Sequence, residues 1–560
     1  MRALLDLIRR FRSDSRGNMT FTFAIVMVPL LTAVGAATDY SMATRMRAKL
    51  QSAADAAAVA SVSQQSPGYL AAAQMTADGS VTAGVTDASK IFNGIMATIT
   101  GYTNLSETST VTKTGVKLTS SVTFTAQVPT IFMKIAGFPT MAISGSSSAS
   151  GALPTYLDFY LMLDVSGSMG LPSTDAEQTR LAAVNPDDFS TYSNGCTFAC
   201  HFQAQNSCSD PAKGQKANAA GVYSPINQAY PTNNYCLGYL ISRVGPGPWQ
   251  TLLQSDSNYP MKGVSVLSAF LANANSNVTL GAPNSLLAGN SKSTSTKVGS
   301  QTISSLTAVT SCPTAGASNC IQLRADAVGM ALNATIAANG IDGLFATANK
   351  AQLVSNQFRI GLYPFIRYLW TYYGLTSSIN GSPTNSSTIN YAAANLATLL
   401  DTGTTPNITN LGSGGTHFEN AFPSMNTLIT TVGNGSSQTN TKPFVFLVTD
   451  GAQDFQTCCG FSGSNSATVM PTGASSYCKP LKDRGITISV LYIPYAKIQN
   501  PTTVFNNEDG VANANIANIP ASLQDCASSG FFFEADTPAD ITTALNKMFQ
   551  QALSTAHITN

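Results

Sequence analysis

The sequence predicts an α/β protein with an N-terminal transmembrane helix and a small membrane-proximal β-containing domain. A doubly wound, mostly parallel sheet with a long disulfide-bearing insertion follows. Three observations carry the prediction. An uncharged stretch of 22 residues, Gly17 to Thr38, follows a basic flank. Beyond residue 150, apolar strand candidates alternate with helical segments, the pattern of parallel α/β sheets. All ten cysteines lie after the uncharged stretch. At 560 residues the chain exceeds what one core usually serves. With 10% charged residues and a net charge of +1 it has no electrostatic footprint for nucleic acid.

Residues 1–16 hold Arg2, Arg9, Arg10, Arg12 and Arg16 against Asp6 and Asp14, which marks a cytoplasmic basic segment. Residues 17–38 meet the ~20 residues a helix needs to cross the hydrocarbon. The arginine excess before them places the N-terminus in the cytoplasm and the bulk outside. Pro29 is a candidate kink. Gly35, Ala36 and Ala37 are small enough for signal cleavage, but the long basic flank and long apolar run point to a retained anchor.

Residues 39–143 form the membrane-proximal domain. Its first part, Tyr40 to Ser63, reads as a continuing helix with Met42, Met46, Leu50, Ala54 and Ala57 at helical spacing. That stripe suits packing on its own domain, with a partner helix as the alternative. Ser66, Pro67 and Gly68 end the helix. Residues 69–95 read as mixed helix or loop. Residues 96–143 turn strand-like, with Val122, Phe124, Ala126 and Val128 alternating with polar neighbours. Residues 144–151, SGSSSASG, read as a flexible linker, because small polar residues build no core.

Residues 152–560 carry the parallel sheet. Tyr156 to Gly170, YLDFYLMLDVSGSMG, is a buried strand running into a polar loop. A helix is expected soon after such a strand, yet 171–320 is rich in Gly, Pro, Asn and Ser and reads as an insertion, with the helix arriving at Ile321. Phe358 to Phe365, Phe444 to Val448, Ile486 to Ile493 and Gly530 to Ala535 are further strands. Thr537, Pro538 and Asp540 form a helix-capping box. The cysteines are Cys196, Cys200, Cys208, Cys236, Cys312, Cys320, Cys458, Cys459, Cys478 and Cys526. An even count beyond a membrane span points to disulfides in an oxidising compartment. Zinc fits less well, because no paired CxxC occurs and histidines stand only at 201, 417 and 557.

Asp164, Ser166 and Ser168 stand at alternate positions at the end of the first strand, so one loop can aim three oxygens at one point. A carboxylate with hydroxyls suits a hard divalent cation. Two later loops can complete the site: Gly414, Gly415 and Thr416, and then Thr449, Asp450 and Gly451 at the end of another buried strand. Ligands of parallel α/β sheets bind at such carboxyl ends.

DVSGSM with GGT and TDG resembles the metal-ion-dependent adhesion site of the von Willebrand factor type A domain. The resemblance implies metal ligation by Asp164, Ser166, Ser168, Thr416 and Asp450, the last often through water. It also implies a partner carboxylate in the open coordination position. Mg²⁺ is the expected ion, with Mn²⁺ or Ca²⁺ as alternatives. Independently, RGNMTFTFAIVMVPLLTAVGAATDYSMATRMRAKLQSAADAAAVA is similar to the start of TadG-like proteins of the bacterial Tad (Flp) pilus-assembly system. The C-terminal DCASSGFFFEADTPADITTALNKMF resembles their usual ending. Pilin-like relatives processed at a glycine carry glutamate five residues on; Thr22 stands there after Gly17, so no such processing is expected.

These resemblances imply a non-enzymatic, metal-dependent protein-binding module anchored in the bacterial inner membrane, its bulk periplasmic or surface-reaching. Its partner would be a pilus-assembly or pilin component. The competing class is an envelope enzyme: a metal-assisted hydrolase using His417 as base, or a thiol oxidoreductase using Cys458 and Cys459. His417 reads more simply as a solvated loop residue. A structural pilus component is a third reading.

Overall fold

In the computed structural model, the first element is a single helix, α1 (Asn18–Ser61), of 44 residues. The structure describes residues 18–182, 242–243, 297–298, 301–302, 309–333, 340–400, 410–412, 415–454, 468–495 and 513–558. The basic segment, Gly17, most of the 171–320 insertion with its first four cysteines, Gly414, Cys458 and Cys459 lie outside these residues. The chain divides into two compact units, Met1–Pro154 and Thr155–Thr559.

In the first unit, α1 changes character along its length. Phe23, Ile25, Val26, Val28, Leu30, Leu31 and Val34 are exposed. From Gly35 onward one face is buried, through Asp39, Ala43, Met46, Leu50, Ala54, Ala57 and Ser61, the three-and-four spacing of an amphipathic helix. Among the described residues α1 is the only helix long and apolar enough to span a membrane. Met46, Leu50, Ala54 and Ala57 pack on the unit's own core with Phe92, Val122 and Phe124. Ser66 then caps α2 (Pro67–Gln74), its Oγ accepting the Tyr69 N–H at 3.0 Å. β1 (Gly79–Ser80), α3 (Thr82–Met96), β2 (Thr103–Thr114), β3 (Lys117–Pro129) and β4 (Thr140–Ala152) follow, and the strands form an antiparallel sheet in chain order.

β4 corrects the linker expectation for residues 144–151. Ser144 pairs with Thr125 and Gly151 with Leu118 in an unbroken register. Main-chain hydrogen bonds make this strand, so its side-chain composition does not forbid it. The small residues instead leave room for α1 and its exit: a Cβ on Gly145 would fall 2.5 Å from Gln51 Oε1 of α1, and one on Gly151 2.7 Å from the carbonyl of Val62, the residue after the helix. Arg47 Nε and Gln51 Nε2 donate to the Ser144 and Ser146 carbonyls at 3.0 and 2.9 Å.

The second unit holds β5 (Leu157–Asp164), α4 (Asp175–Ala182), α5 (Arg324–Asn333), α6 (Leu344–Ala351), β6 (Phe358–Phe365), β7 (Tyr373–Thr376) and α7 (Ile389–Ala394). It continues with α8 (Phe418–Leu428), β8 (Lys442–Thr449), α9 (Lys479–Asp483), β9 (Thr487–Tyr492), α10 (Ile519–Cys526), β10 (Phe532–Glu534) and α11 (Pro538–Ile558). The sheet order is β10-β9-β8-β5-β6-β7, with the first five parallel and β7 antiparallel at the edge. Alternate residues serve two cores. Phe159, Leu161, Phe358, Phe444 and Phe446 face α5 and α11; Met162, Tyr363, Val445 and Leu447 face α8 and α10.

α4 corrects a second expectation, that no helix follows the first strand before Ile321. It begins five residues after Gly170, stabilised at its N-terminal turn by Asp175 and Glu177. Glu177 is buried and accepts the Gln322 and Gly316 N–H groups at 2.7 and 2.8 Å, so α4 is tied to the segment returning from the insertion. Arg243 and Asp326 fasten the same place with a fully buried bidentate pair at 3.0 and 2.6 Å. Two disulfides are present among the described residues: Cys312–Cys320, and Cys478–Cys526 joining the start of α9 to the end of α10. The capping box forms as expected, with the Asp540 N–H on Thr537 Oγ1 at 3.2 Å.

Candidate metal centre

β5 and β8 are adjacent parallel strands, with Leu163 opposite Val448. Asp164 ends β5 and Asp450 directly follows β8, and both are buried. From β5 the chain proceeds to β6 on one side; from β8 it proceeds to β9 on the other. The two connections part above these strands, at the kind of position where open α/β sheets hold ligands.

The turn after β5 fixes the first carboxylate. Asp164 Oδ1 accepts the Ser166 N–H at 2.9 Å and Oδ2 accepts the Thr449 hydroxyl at 2.6 Å. Thr449 Oγ1 in turn accepts the Gly451 N–H at 2.9 Å, with Gly451 at φ 78°, a conformation glycine adopts without strain. Ser166 Oγ and Ser168 Oγ lie 3.2 Å apart. Asp164, Ser166 and Ser168 are thereby gathered, with Thr449 as an orienting group that the sequence reading left without a role.

Thr416 is positioned by backbone. It exchanges both hydrogen bonds with Asp454, at 3.0 and 3.1 Å, while the His417 N–H donates to the Ile366 carbonyl at 2.9 Å. Asp454 lies on the exit from β8 and Ile366 on the exit from β6. Because β5 runs between those strands, Thr416 is held at the same end of the sheet as Asp164. His417 is buried, not solvated as expected, and its Nδ1 pairs with Glu419 Oε1 at 2.5 Å in the first turn of α8.

Burial pushes the Asp164 carboxyl up to about 7, with the charge of Asp450 adding to it; the hydrogen bonds from Ser166 and Thr449 pull the other way. Arg324, the first residue of α5, brings Nη1 to 3.7 Å from Asp450 Oδ2, beyond hydrogen-bond range. Its Nη2 donates to the Pro494 carbonyl at 2.9 Å. Burial holds the guanidinium below its ordinary value, partly offset by Asp450. An arginine at a helix N-terminus opposes the helix dipole, a sequence-level sign that an acid elsewhere holds it. Arg324 also lines a cleft of about 500 Å³ with Leu171, Thr174, Pro494 and Thr537.

The hydrogen bonds gather Asp164, Ser166 and Ser168; Thr416 is placed at the same sheet end by its backbone alone and Asp450 by the strand register, and all five candidates offer oxygen. Among the described residues no group of three or more His, Cys, Asp or Glu could hold a metal.

The comparisons bear first on α1. Residues 17–64 match the family model for Flp pilus-assembly TadE/G-like proteins. The match covers the apolar first part of α1 and its alanine-rich continuation. Among curated proteins, none matches the chain. Solved structures similar to it include the pilus adhesin SpaC from Lactobacillus rhamnosus GG, at 10% identity and a TM-score of 0.28, covering 81% of this chain and 34% of that one. This chain thus spans about a third of the adhesin's length. The PilB minor pilin from Streptococcus sanguinis matches at 8% identity and a TM-score of 0.26, over 81% and 78% of the two chains. BatB from Bacteroides thetaiotaomicron, a conserved hypothetical protein, matches at 15% identity and 0.21, over 40% and 94%. Overlaps this loose carry no structural argument.

Proposed function

We propose that this protein is a membrane-anchored, extracytoplasmic protein-binding module of Flp-type pilus assembly or adhesion, acting through a divalent cation on a von Willebrand factor A-type doubly wound sheet. The observation that carries the reading is the burial of Asp164 and Asp450 at the carboxyl ends of adjacent strands, where the connections part, with three hydroxyl residues at the same end. The Tad match of residues 17–64 supports the pilus context.

Ser166, Ser168 and Thr416 would hold the ion with Asp164 and Asp450, and Mg²⁺ is the ion we expect. When bound, it supplies an electrophilic position for a carboxylate of a pilin or assembly partner. The chain's own groups do the rest: Thr449 and the Ser166 N–H orient Asp164, and Arg324 stands against Asp450 from the cleft side. The arginine-rich N-terminus would lie in the cytoplasm.

Isothermal titration of the full chain with Mg²⁺, Mn²⁺ and Ca²⁺ tests the site. Asp164→Ala should abolish the binding heat. Ser168→Ala, at a less buried position, should weaken it while leaving the melting profile unchanged. Unaltered titration of both variants would overturn the assignment. Crosslinking from intact cells with and without chelator then tests the partner: a specific adduct lost on chelation ties the metal to binding.

A further inference from the structure

The turn joining β3 to β4 presents its apolar side chains outward. Ile135 is 86% exposed, Ile131 61%, Phe138 60% and Phe132 42%. The turn is nonetheless well built: the Ile135 N–H reaches the Phe132 carbonyl at 3.1 Å, the Phe138 N–H the Met133 carbonyl at 3.0 Å, and Gly137 takes φ 91°. A rigid turn that displays large apolar groups needs a partner surface, since monomeric soluble proteins rarely expose contiguous apolar patches.

Its place on α1 identifies that surface. Asp39 accepts three backbone N–H groups from the turn, those of Ile131, Phe132 and Met133, at 2.9, 2.9 and 2.7 Å. Phe132 also lies against the bare backbone of Gly35, where an added Cβ would fall 2.4 Å from the Phe132 Cβ. Gly35 is one helical turn before Asp39, about 6 Å along the axis, and belongs to the uncharged stretch. The turn therefore reaches back alongside α1 to where its side chains become exposed and lipid-compatible, and its apolar face continues that of Leu31 and Val34.

We propose that residues 131–138 form a second membrane contact, a wedge that enters the outer face of the bilayer beside the spanning helix. The occupant of the apolar patch is lipid acyl chain, argued from this continuity. Exposed Lys134 on the same turn can extend its ammonium to the headgroup layer, its stem lying along apolar surface. Depth of this kind is ordinary for interfacial segments, which bury an apolar face roughly 5–10 Å into the boundary. The wedge rests on the reading of α1 as a membrane span.

Depth-dependent quenching tests both separately. Full-length chains bearing Ile135→Trp, Leu31→Trp or Lys117→Trp are placed in phosphatidylcholine vesicles with and without bromine on the acyl chains, and emission is read as the difference from the unsubstituted chain. Leu31→Trp reports the span, and Lys117→Trp, at the far end of β3, reports water. We expect bromolipid to quench Leu31→Trp and Ile135→Trp and to leave Lys117→Trp unchanged. With no other protein in the vesicles, quenching of Ile135→Trp identifies lipid as the cover. If Leu31→Trp is quenched and Ile135→Trp is not, the wedge is wrong and the patch is a protein-facing surface. If Leu31→Trp is unquenched, the span and the wedge fall together.

Discussion

The small antiparallel sheet and the large parallel one meet their helices on different terms. In the first unit the inward positions of β4 are Gly145, Ser147, Ala149 and Gly151, and α1 answers with alanines, so helix and strand meet through small side chains. In the second, Phe159 alone packs against the rings of Phe358, Phe444, Phe446 and Phe549, with centroids 5.2–6.2 Å apart. The first arrangement has no room for added atoms; the second depends on every atom it has. Covalent reinforcement differs too, because every cysteine follows residue 154.

Reduction should separate the units most strongly. Chain-entropy arguments assign about 4 kcal/mol to the Cys478–Cys526 link, with a sequence separation of 48, and about 2.5 kcal/mol to Cys312–Cys320, with a separation of 8. Both tryptophans, Trp249 and Trp370, follow residue 154 in the sequence. Reductant should therefore lower the melting temperature read by tryptophan emission, while amide exchange in residues 40–152 stays unchanged; equal loosening of both units would break the contrast. Phe159→Ala should cost the second unit about 3–5 kcal/mol, as large aromatic truncations do, measured by denaturant melts. Gly151→Val should cost the first unit about 1–3 kcal/mol by overpacking and leave the tryptophan transition in place.

Acid offers the finest discrimination, because two buried aspartates, Asp39 and Asp164, respond with opposite sign. Burial pushes the Asp39 carboxyl up, but the N–H groups of Met133, Ile131 and Phe132 outweigh it and hold it below the ordinary range. Its stabilisation is present above the unfolded carboxylate pKa and is lost as pH falls through the lowered value. Asp164 is raised to about 7, so in chelator its favourable contribution is full below the unfolded value of about 3.9 and disappears as pH climbs through 7. Segment-resolved amide exchange should show residues 157–170 tightening from pH 8 to 5 with 131–138 unchanged, and 131–138 loosening only at lower pH. Parallel responses would mean that one of these carboxylates is misplaced.

Much of the second unit was legible in the sequence because its strands are buried on both faces and so appear as continuous apolar runs. The loop residues at their ends were equally visible. What stayed hidden was structure made by the main chain. β4 has a linker's composition, and β7, of four residues YGLT, has no apolar run. The role of Thr449 is set by its neighbour across the sheet, and that of Arg324 by a carboxylate 126 residues later, which no local pattern reports.

Helix α1 passes from its lipid-compatible half to its domain-bound half without a break in helical structure, with Pro29 its one internal proline. Rotation about its long axis is thus shared by everything packed on it: the span acts as an axle and the small sheet as a vane. One alanine inserted after Thr38 would turn the vane by about 100° and carry Asp39 away from the azimuth of Gly35. The azimuth of this small domain about the apolar half of α1 is thereby written into the phase of a single helix.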